Sequence, residues 1–132
     1  MTRAVLADSG PLFAIADEND GLHDRALREF ELLAHDRREI LVPYPILMET
    51  FTLVLFRLGR KSASDWLSQV LSAAFINPTP EDYRRAATQV LALHDQSVTL
   101  VDATVAIMAC RLGLQVWTYD HHFDVMRAPV WR

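Results

Sequence analysis

Four carboxylates occur where an ordinary surface acid is not expected. Asp102 is the only charged residue in the stretch LVDATVAIMAC, and Glu49 is the only one in PILMETFTLVLF. Asp8 follows the apolar run AVLA, and Asp120 follows QVWTY. Burying an unpaired carboxylate costs several kcal/mol or forces it to stay protonated. If the four acids converge, they repel one another, and a cation between them would relieve that repulsion.

An all-oxygen cluster without cysteine favours a hard divalent ion, Mg²⁺ or Mn²⁺, over structural zinc. Such an ion lowers the pKa of a bound water and neutralises charge on a phosphate, which suits phosphodiester hydrolysis. Each acid also has a plainer reading. Asp8 could be a helix cap, Asp102 could form a capping box with Thr99, and Asp120 and Asp124 could be loop acids. Glu49 is harder to explain in this way, and the combination favours a metal site.

The elements that would position these acids are short strands alternating with helices. Strands are predicted at 4–7, 39–42, 75–76 and 115–118, with an edge strand at 128–131. Helices are predicted after Pro11, from Pro45 to Gly59, and from Thr79 with an inner face of Tyr83, Ala87, Val90 and Leu91. Further helices are predicted around 22–33, after Ser62 through a capping box with Asp65, and through Asp102 to Gly113. This alternation predicts an α/β fold with a short central parallel sheet and helices on both faces.

Strand ends connect this fold to the acids. In open parallel sheets, ligands collect at the carboxyl ends of the strands, and Asp8 and Asp120 both follow predicted strands. We therefore expect these two carboxylates to lie at one edge of the sheet and to contribute to one site.

Composition sets further bounds. The 132 residues are 51% hydrophobic, which predicts a single packed domain over 1–132. The lone Cys110 cannot form an internal disulfide and is expected in the core, which together suggest a cytoplasmic protein. No uncharged run approaches the ~18 residues of a membrane span, so no membrane partner is expected. Net charge is −4, but without the five candidate ligands 12 acidic residues face 13 basic ones, which permits a nucleic-acid substrate.

Together these motifs resemble the PIN-domain nucleases, and within them the VapC-like toxins of bacterial toxin–antitoxin pairs. The resemblance is carried by four segments in order: ADSGPLFAI, Glu49 in its apolar helix, LVDATVAIMA and TYDHHF. They span Asp8 to Asp124, which is nearly the whole chain. The ordered set of acids with T-x-D-x-H-F is more specific than any one motif.

The resemblance implies a PIN-like three-layer fold and a metal-dependent endoribonuclease. It implies that Asp8, Glu49, Asp102 and Asp120 are the catalytic carboxylates that bind Mg²⁺ or Mn²⁺, with Asp124 as a fifth metal-binding acid. Ser9 and Thr118 would be supporting hydroxyls, and His122 would match the family's histidine. Family members are often homodimeric and are held inactive by a cognate antitoxin protein. Some cut tRNA or rRNA.

Rival readings remain open at this point. A haloacid-dehalogenase-type phosphatase requires a second Asp two residues after the first, but position 10 is Gly. A phosphoreceiver domain requires a late lysine, whereas the only lysine is Lys61. A non-catalytic PIN-fold binding module would have no physical reason to keep the acids. His121 and His122 could bind a transition metal, although an exposed loop is the preferred interpretation.

Overall fold

The computed structural model describes residues 3–94 and 96–132. Within these residues, strands and helices alternate along the chain. The strands are β1 (Val5–Ala7), β2 (Ile40–Pro43), β3 (Ala74–Ile76) and β4 (Gln115–Trp117). The helices are α1 (Ser9–Ala16), α2 (His23–His35), α3 (Tyr44–Leu58), α4 (Arg60–Val70), α5 (Pro80–Ala92), α6 (Leu100–Leu112) and α7 (His122–Val125).

The four strands form one parallel sheet in the order β3-β2-β1-β4. Val5 of β1 pairs with Ile40 on one side and Gln115 on the other. The strands are apolar because both faces of such a sheet are covered, and Val5, Leu6 and Ala7 are all buried. The predicted α/β class, with a parallel sheet, is confirmed.

The strand order reverses between β1 and β4. From β1 the chain moves one way through β2 to β3, and then returns to pair β4 with the free side of β1. Right-handed crossovers then place α1 to α4 on one face and α5 and α6 on the other. The packing agrees, because α1 contacts α2 and α3, α3 contacts α4, and α5 packs against α6. A reversal of this kind opens a crevice at the carboxyl ends of the two strands, where ligands bind.

Local signals at helix ends fix two of the elements that matter for the site. Thr79 and Asp82 form a reciprocal capping box at α5: the Thr79 hydroxyl accepts from the Asp82 N–H at 3.0 Å, and the Asp82 carboxylate accepts from the Thr79 N–H at 2.9 Å. Helix α6 begins after Thr99, whose hydroxyl accepts from the Asp102 N–H. It ends at Gly113, whose φ of 67° is a left-handed conformation that favours glycine.

Three predictions are wrong: the buried face of α5, the start of α4 and the burial of Cys110. The buried residues of α5 are Asp82 and Ala86, whereas Tyr83 and Leu91 of the predicted inner face are exposed. Helix α4 begins at Arg60 after Gly59 and not at a capping box of Ser62 with Asp65. Cys110 is exposed and not part of the core.

The predicted edge strand at 128–131 is reduced to one parallel bridge between Val116 and Val130. Among the described residues, no helix is long and apolar enough to cross a membrane.

Candidate metal centre

The ends of β1 and β4 bring Asp8 and Asp120 to the same edge of the sheet. Asp8 directly follows β1 and is the N-cap residue of α1. Its N–H donates to the Trp117 carbonyl at 3.0 Å, which continues the pairing of the two strands by one residue. Because the strands are parallel and adjacent, the segments that leave them start side by side. The two acids therefore flank the crevice predicted from the strand order.

Thr118 connects the two segments. The Thr118 hydroxyl donates to Asp8 Oδ2 at 2.7 Å. The Thr118 hydroxyl oxygen also accepts a hydrogen bond from the Asp120 N–H at 3.0 Å. A hydroxyl can do both at once, because it carries one donor hydrogen and two lone pairs. Thr118 thus fixes one oxygen of Asp8 and the backbone of Asp120.

Glu49 on α3 and Asp102 on α6 complete the group from opposite faces of the sheet. The pKa of Asp8 is raised from 3.8 to about 7, mainly by burial and further by the negative charges of Asp102 and Glu49. Hydrogen bonds from the Thr118 hydroxyl and the Ser9 N–H oppose this rise in pKa. Asp8 therefore lies within electrostatic reach of both acids.

The other two carboxylates show the same effect. Burial raises the pKa of Glu49, and the charges of Asp102 and Asp120 raise it further, while the Ser9 hydroxyl opposes them. Burial also raises the pKa of Asp102, with a contribution from Asp120, against hydrogen bonding by Thr99. The structure thus brings together Asp8, Glu49, Asp102 and Asp120 in a mutually repelling group.

Three of the four carboxylates lack an ion-pair partner among the residues that the structure describes. Within residues 3–94 and 96–132, no lysine or arginine forms an ion pair with Asp8, Glu49 or Asp102. Asp8 Oδ1 and Glu49 Oε2 are buried and find no hydrogen-bond partner among the described residues. Unpartnered buried carboxylate oxygens are costly, and oxygen donors of this kind are what Mg²⁺ and Mn²⁺ take as ligands. The residues present therefore fit a hard divalent cation.

The carboxylates are spread more widely than in a closed ligand cage. In the described part of the chain, the group of potential ligand atoms that all lie within 4.8 Å of one another comes from Asp120, His121 and His122, not from the four acids. Negative charges that share a site repel one another, and a bound cation would relieve that repulsion. We expect the four carboxylates to move closer together when a cation binds.

Asp124 lies apart from this group. Its Oδ2 accepts from Arg132 at 2.7 Å, and half of its side chain is exposed. It lines a cleft of about 180 Å³ together with Asp120, Arg25 and Arg132. Asp124 thus stands on the rim, where an arginine already neutralises it.

His122 supports Asp120 from the start of α7. Its N–H donates to Asp120 Oδ1 at 2.9 Å, and its ring Nδ1 lies at the same distance from that oxygen. His121 is mostly exposed and lies farther away, with Nδ1 3.8 Å from Asp120 Oδ1. Of the two histidines, His122 is therefore the one whose ring lies closer to the Asp120 carboxylate.

One positioning residue was missed in the sequence. Glu29 on α2 accepts from Trp117 Nε1 at 3.1 Å and from the Tyr119 hydroxyl, so it holds the residues on either side of Thr118. Arg25 pairs with Glu29 at 3.3 Å and lies over the Tyr119 ring at 4.5 Å. In the sequence, Glu29 is one charge on the polar side of an amphipathic helix, and no local signal separates it from its neighbours.

Comparisons with known proteins identify the family and show which solved structures share the fold. The family model described as PIN domain matches residues 5–129. No curated protein sequence matches the chain. The fold is similar to that of VapC20 from Mycobacterium tuberculosis, a sarcin–ricin-loop-cleaving toxin, with a TM-score of 0.84, 21% identity, and coverage of 97% of this chain and 98% of that one.

Two further solved structures share the fold. VapBC2 from Rickettsia felis, bound to a DNA fragment from its promoter, matches with a TM-score of 0.75 and 14% identity, over 98% of this chain and 97% of that one. FitAcB from Neisseria gonorrhoeae matches with a TM-score of 0.69 and 14% identity, over 97% and 96% of the two chains.

Proposed function

The chain belongs to the PIN domain family, and on that premise we propose that it is a metal-dependent endoribonuclease, the toxin of a toxin–antitoxin pair. The observation that carries the proposal is the convergence of four carboxylates from two strand ends and two helices. Among the described residues, no lysine or arginine forms an ion pair with Asp8, Glu49 or Asp102. The raised pKa values of Asp8, Glu49 and Asp102 are typical of a site whose charge is balanced by a group from outside the chain.

In this proposal Asp8, Glu49, Asp102 and Asp120 hold Mg²⁺ or Mn²⁺, and Asp124 is at most a ligand from the rim. When bound, the ion lowers the pKa of a water and neutralises the charge that builds up on the phosphate. Thr118 keeps Oδ2 of Asp8 in place, and the buried, unpartnered Oδ1 is the oxygen that would bind the ion. No side chain is required as a covalent nucleophile, and cleavage leaves a 5′-phosphate and a 3′-hydroxyl.

The partners belong to the same proposal. A fold shared with a toxin that cleaves the sarcin–ricin loop supports RNA as the substrate, whether rRNA or tRNA. A cognate antitoxin protein is supported by the shared fold of VapBC2, a complex bound to promoter DNA. We extend this to a homodimer in the cytoplasm, where such RNA is found.

The test is to map new 5′ ends in total RNA from the source organism after incubation with purified protein. The reaction is run with Mg²⁺ or Mn²⁺, with a chelator, and with Asp102→Asn. Asp24→Asn is the matched control, because it makes the same change on the exposed side of α2. We expect discrete ends that need the metal, persist in the Asp24 variant and fall by roughly 10²-fold or more in the Asp102 variant.

Thermal unfolding of the Asp102 variant shows whether a loss of cleavage comes from the site or from the fold. Ends that persist undiminished in a folded Asp102→Asn protein would refute the assignment of the site. If the wild-type protein binds Mn²⁺ but produces no ends, the chain is a non-catalytic PIN-fold binding module.

A further inference from the structure

A second group of potential ligands lies at the start of α7, outside the four-carboxylate pocket except for one shared residue. Asp120, His121 and His122 each offer one ligand atom, and the three atoms lie within 4.8 Å of one another. The two imidazole rings have centroids 4.3 Å apart and planes inclined by 35°. Two nitrogen donors and one oxygen donor thus meet in one turn of chain.

The distances suit a tetrahedral ion of the zinc type. Zinc lies about 2.0–2.1 Å from nitrogen and oxygen ligands, which places tetrahedral ligands about 3.3 Å from one another. His122 Nδ1 lies 2.9 Å and His121 Nδ1 lies 3.8 Å from Asp120 Oδ1, so the two separations fall on either side of that figure. We propose that Asp120, His121 and His122 form a binding site for Zn²⁺ or a similar transition-metal cation, with one coordination position left open.

Two of the three ligands are already fixed in place. The His122 side chain is only 15% exposed, and the His122 backbone N–H donates to the Asp120 carboxylate. The Asp120 N–H is in turn held by Thr118. Only His121, which is 76% exposed, must be ordered on binding, so little conformational freedom is lost.

The donor types distinguish this site from the carboxylate pocket. Imidazole suits Zn²⁺ and other borderline ions, whereas carboxylates alone suit Mg²⁺ and Mn²⁺. The two sites share Asp120, whose charge acts on both Glu49 and Asp102. A zinc ion on the histidines would draw Asp120 away from that group. Resting on the proposed function, the inference is that Zn²⁺ inhibits the Mg²⁺-supported cleavage.

The first experiment measures metal binding without any RNA. Zn²⁺ affinity is determined by competition with a chromophoric chelator in excess Mg²⁺, and Co²⁺ is used as a spectroscopic substitute. The variants are His121→Ala and His122→Ala, with His122→Gln as a less disruptive change should His122→Ala fail to fold. His35→Ala is the matched control, because His35 also lies beside an aspartate, with 3.4 Å between its Nδ1 and Asp36 Oδ1.

We expect one equivalent of Zn²⁺ and visible Co²⁺ absorption typical of tetrahedral coordination. Both His121 and His122 variants should lose at least about tenfold in affinity, since each removes one of three ligands. His35→Ala and Asp102→Asn should bind like the wild type. If the His121 and His122 variants bind Zn²⁺ as tightly as the wild type does, the proposal is overturned. Loss of the ion in Asp102→Asn would overturn it as well, because the zinc would then occupy the carboxylate pocket.

The second experiment adds Zn²⁺ to the Mg²⁺-supported cleavage reaction. Inhibition should occur in the wild type and weaken in His121→Ala. Undiminished inhibition in His121→Ala would refute the regulatory inference. If no RNA is cleaved under any condition, the proposed function fails, while the zinc site is still decided by the binding measurement.

Discussion

Replacing Asp8 by Asn should stabilise the metal-free protein at neutral and alkaline pH. Asp8 is only 4% exposed, and its pKa is raised from 3.8 to about 7 by burial and by the nearby carboxylates. In the absence of a cation, an ionised Asp8 is therefore an unfavourable charge inside the protein. Asparagine has nearly the same shape and can still accept from the Thr118 hydroxyl, but it carries no charge.

The sign and magnitude follow from the two pKa values. The folded protein holds the Asp8 proton more tightly than the unfolded chain, so Asp8 lowers the free energy of unfolding as pH rises from 3.8 to about 7. The full effect is about 4 kcal/mol, since one unit of pKa corresponds to about 1.4 kcal/mol. This is large beside a typical domain stability of about 5–15 kcal/mol. Asparagine at position 8 does not titrate, so Asp8→Asn does not lose this part of the free energy of unfolding as the pH rises.

The assay is urea unfolding of both proteins at a series of pH values in the presence of a chelator. Glu49 and Asp102 titrate in both proteins, so the difference between the two curves reports on Asp8 together with its repulsion of those two acids. That difference should be small near pH 3.8 and should grow until pH passes about 7. Asp24→Asn, an equivalent change on the surface, should stay within about 0.5 kcal/mol of the wild type.

Saturating Mg²⁺ provides the second half of the test. A cation that binds the native pocket adds stability through its affinity, and it should stabilise the wild type more than Asp8→Asn. The advantage of the variant should therefore shrink when Mg²⁺ is added. A difference curve that stays flat from acid to alkaline pH, with or without Mg²⁺, would refute the reasoning that Asp8 is a buried, cation-seeking carboxylate.

Three further outcomes are expected from the same structure. Arg111→Met breaks the ion pair with buried Asp82 and should lower the free energy of unfolding, measured in urea, by about 2–3 kcal/mol. Because the guanidinium lowers the pKa of Asp82, this loss should become smaller as the pH drops below 3.8. Thr50→Val should leave stability unchanged or raise it by about 1 kcal/mol, because the buried Thr50 hydroxyl has no partner among the described residues. Thr118→Val should lower cleavage by roughly tenfold or more and move its pH profile upward, because Asp8 loses a hydrogen bond that stabilises its charge.

Much of the fold was predictable because its signals are local. The apolar runs before Asp8 and Asp120 predicted strands, and β1 and β4 occupy those places. Gly113 ends α6 as predicted, because a left-handed residue there favours glycine. The rule that crossovers between parallel strands are right-handed reduces the number of possible strand orders. The position of β4 beside β1, however, depends on packing over the whole chain.

The errors arose where a distant partner decides burial. The predicted inner face of α5 did not include residue 82. Arg111, from a different helix, allows Asp82 to be buried. Cys110 was assigned to the core because its neighbours are apolar, but it lies near the end of α6 on the side that remains exposed. In each case the sequence shows the residue type, whereas burial depends on what packs against it.

The candidate site shows the same division. Uncharged surroundings singled out Glu49 and Asp102, because an isolated acid in an apolar helix needs a physical reason. Asp124 could not be separated from Asp120 in this way, since both lie in one short polar loop. The difference is the Arg132 guanidinium on Asp124, a contact that no local pattern indicates.

Asp8 and Asp82 explain most clearly why a buried acid marks a site in one place and not in another. Both are almost fully buried, and each is hydrogen-bonded to a threonine hydroxyl or N–H. Yet the pKa of Asp82 is lowered because Arg111 hydrogen-bonds to it and neutralises it, whereas the pKa of Asp8 is raised because burial is not offset by a cation and its charged neighbours are carboxylates. Asp82 therefore contributes to folding by itself, while Asp8 favours folding fully only when a positive charge comes from solution. A domain that keeps such a residue gives up stability in the free state and regains it on binding a cation, which is expected of a binding pocket and not of a structural core.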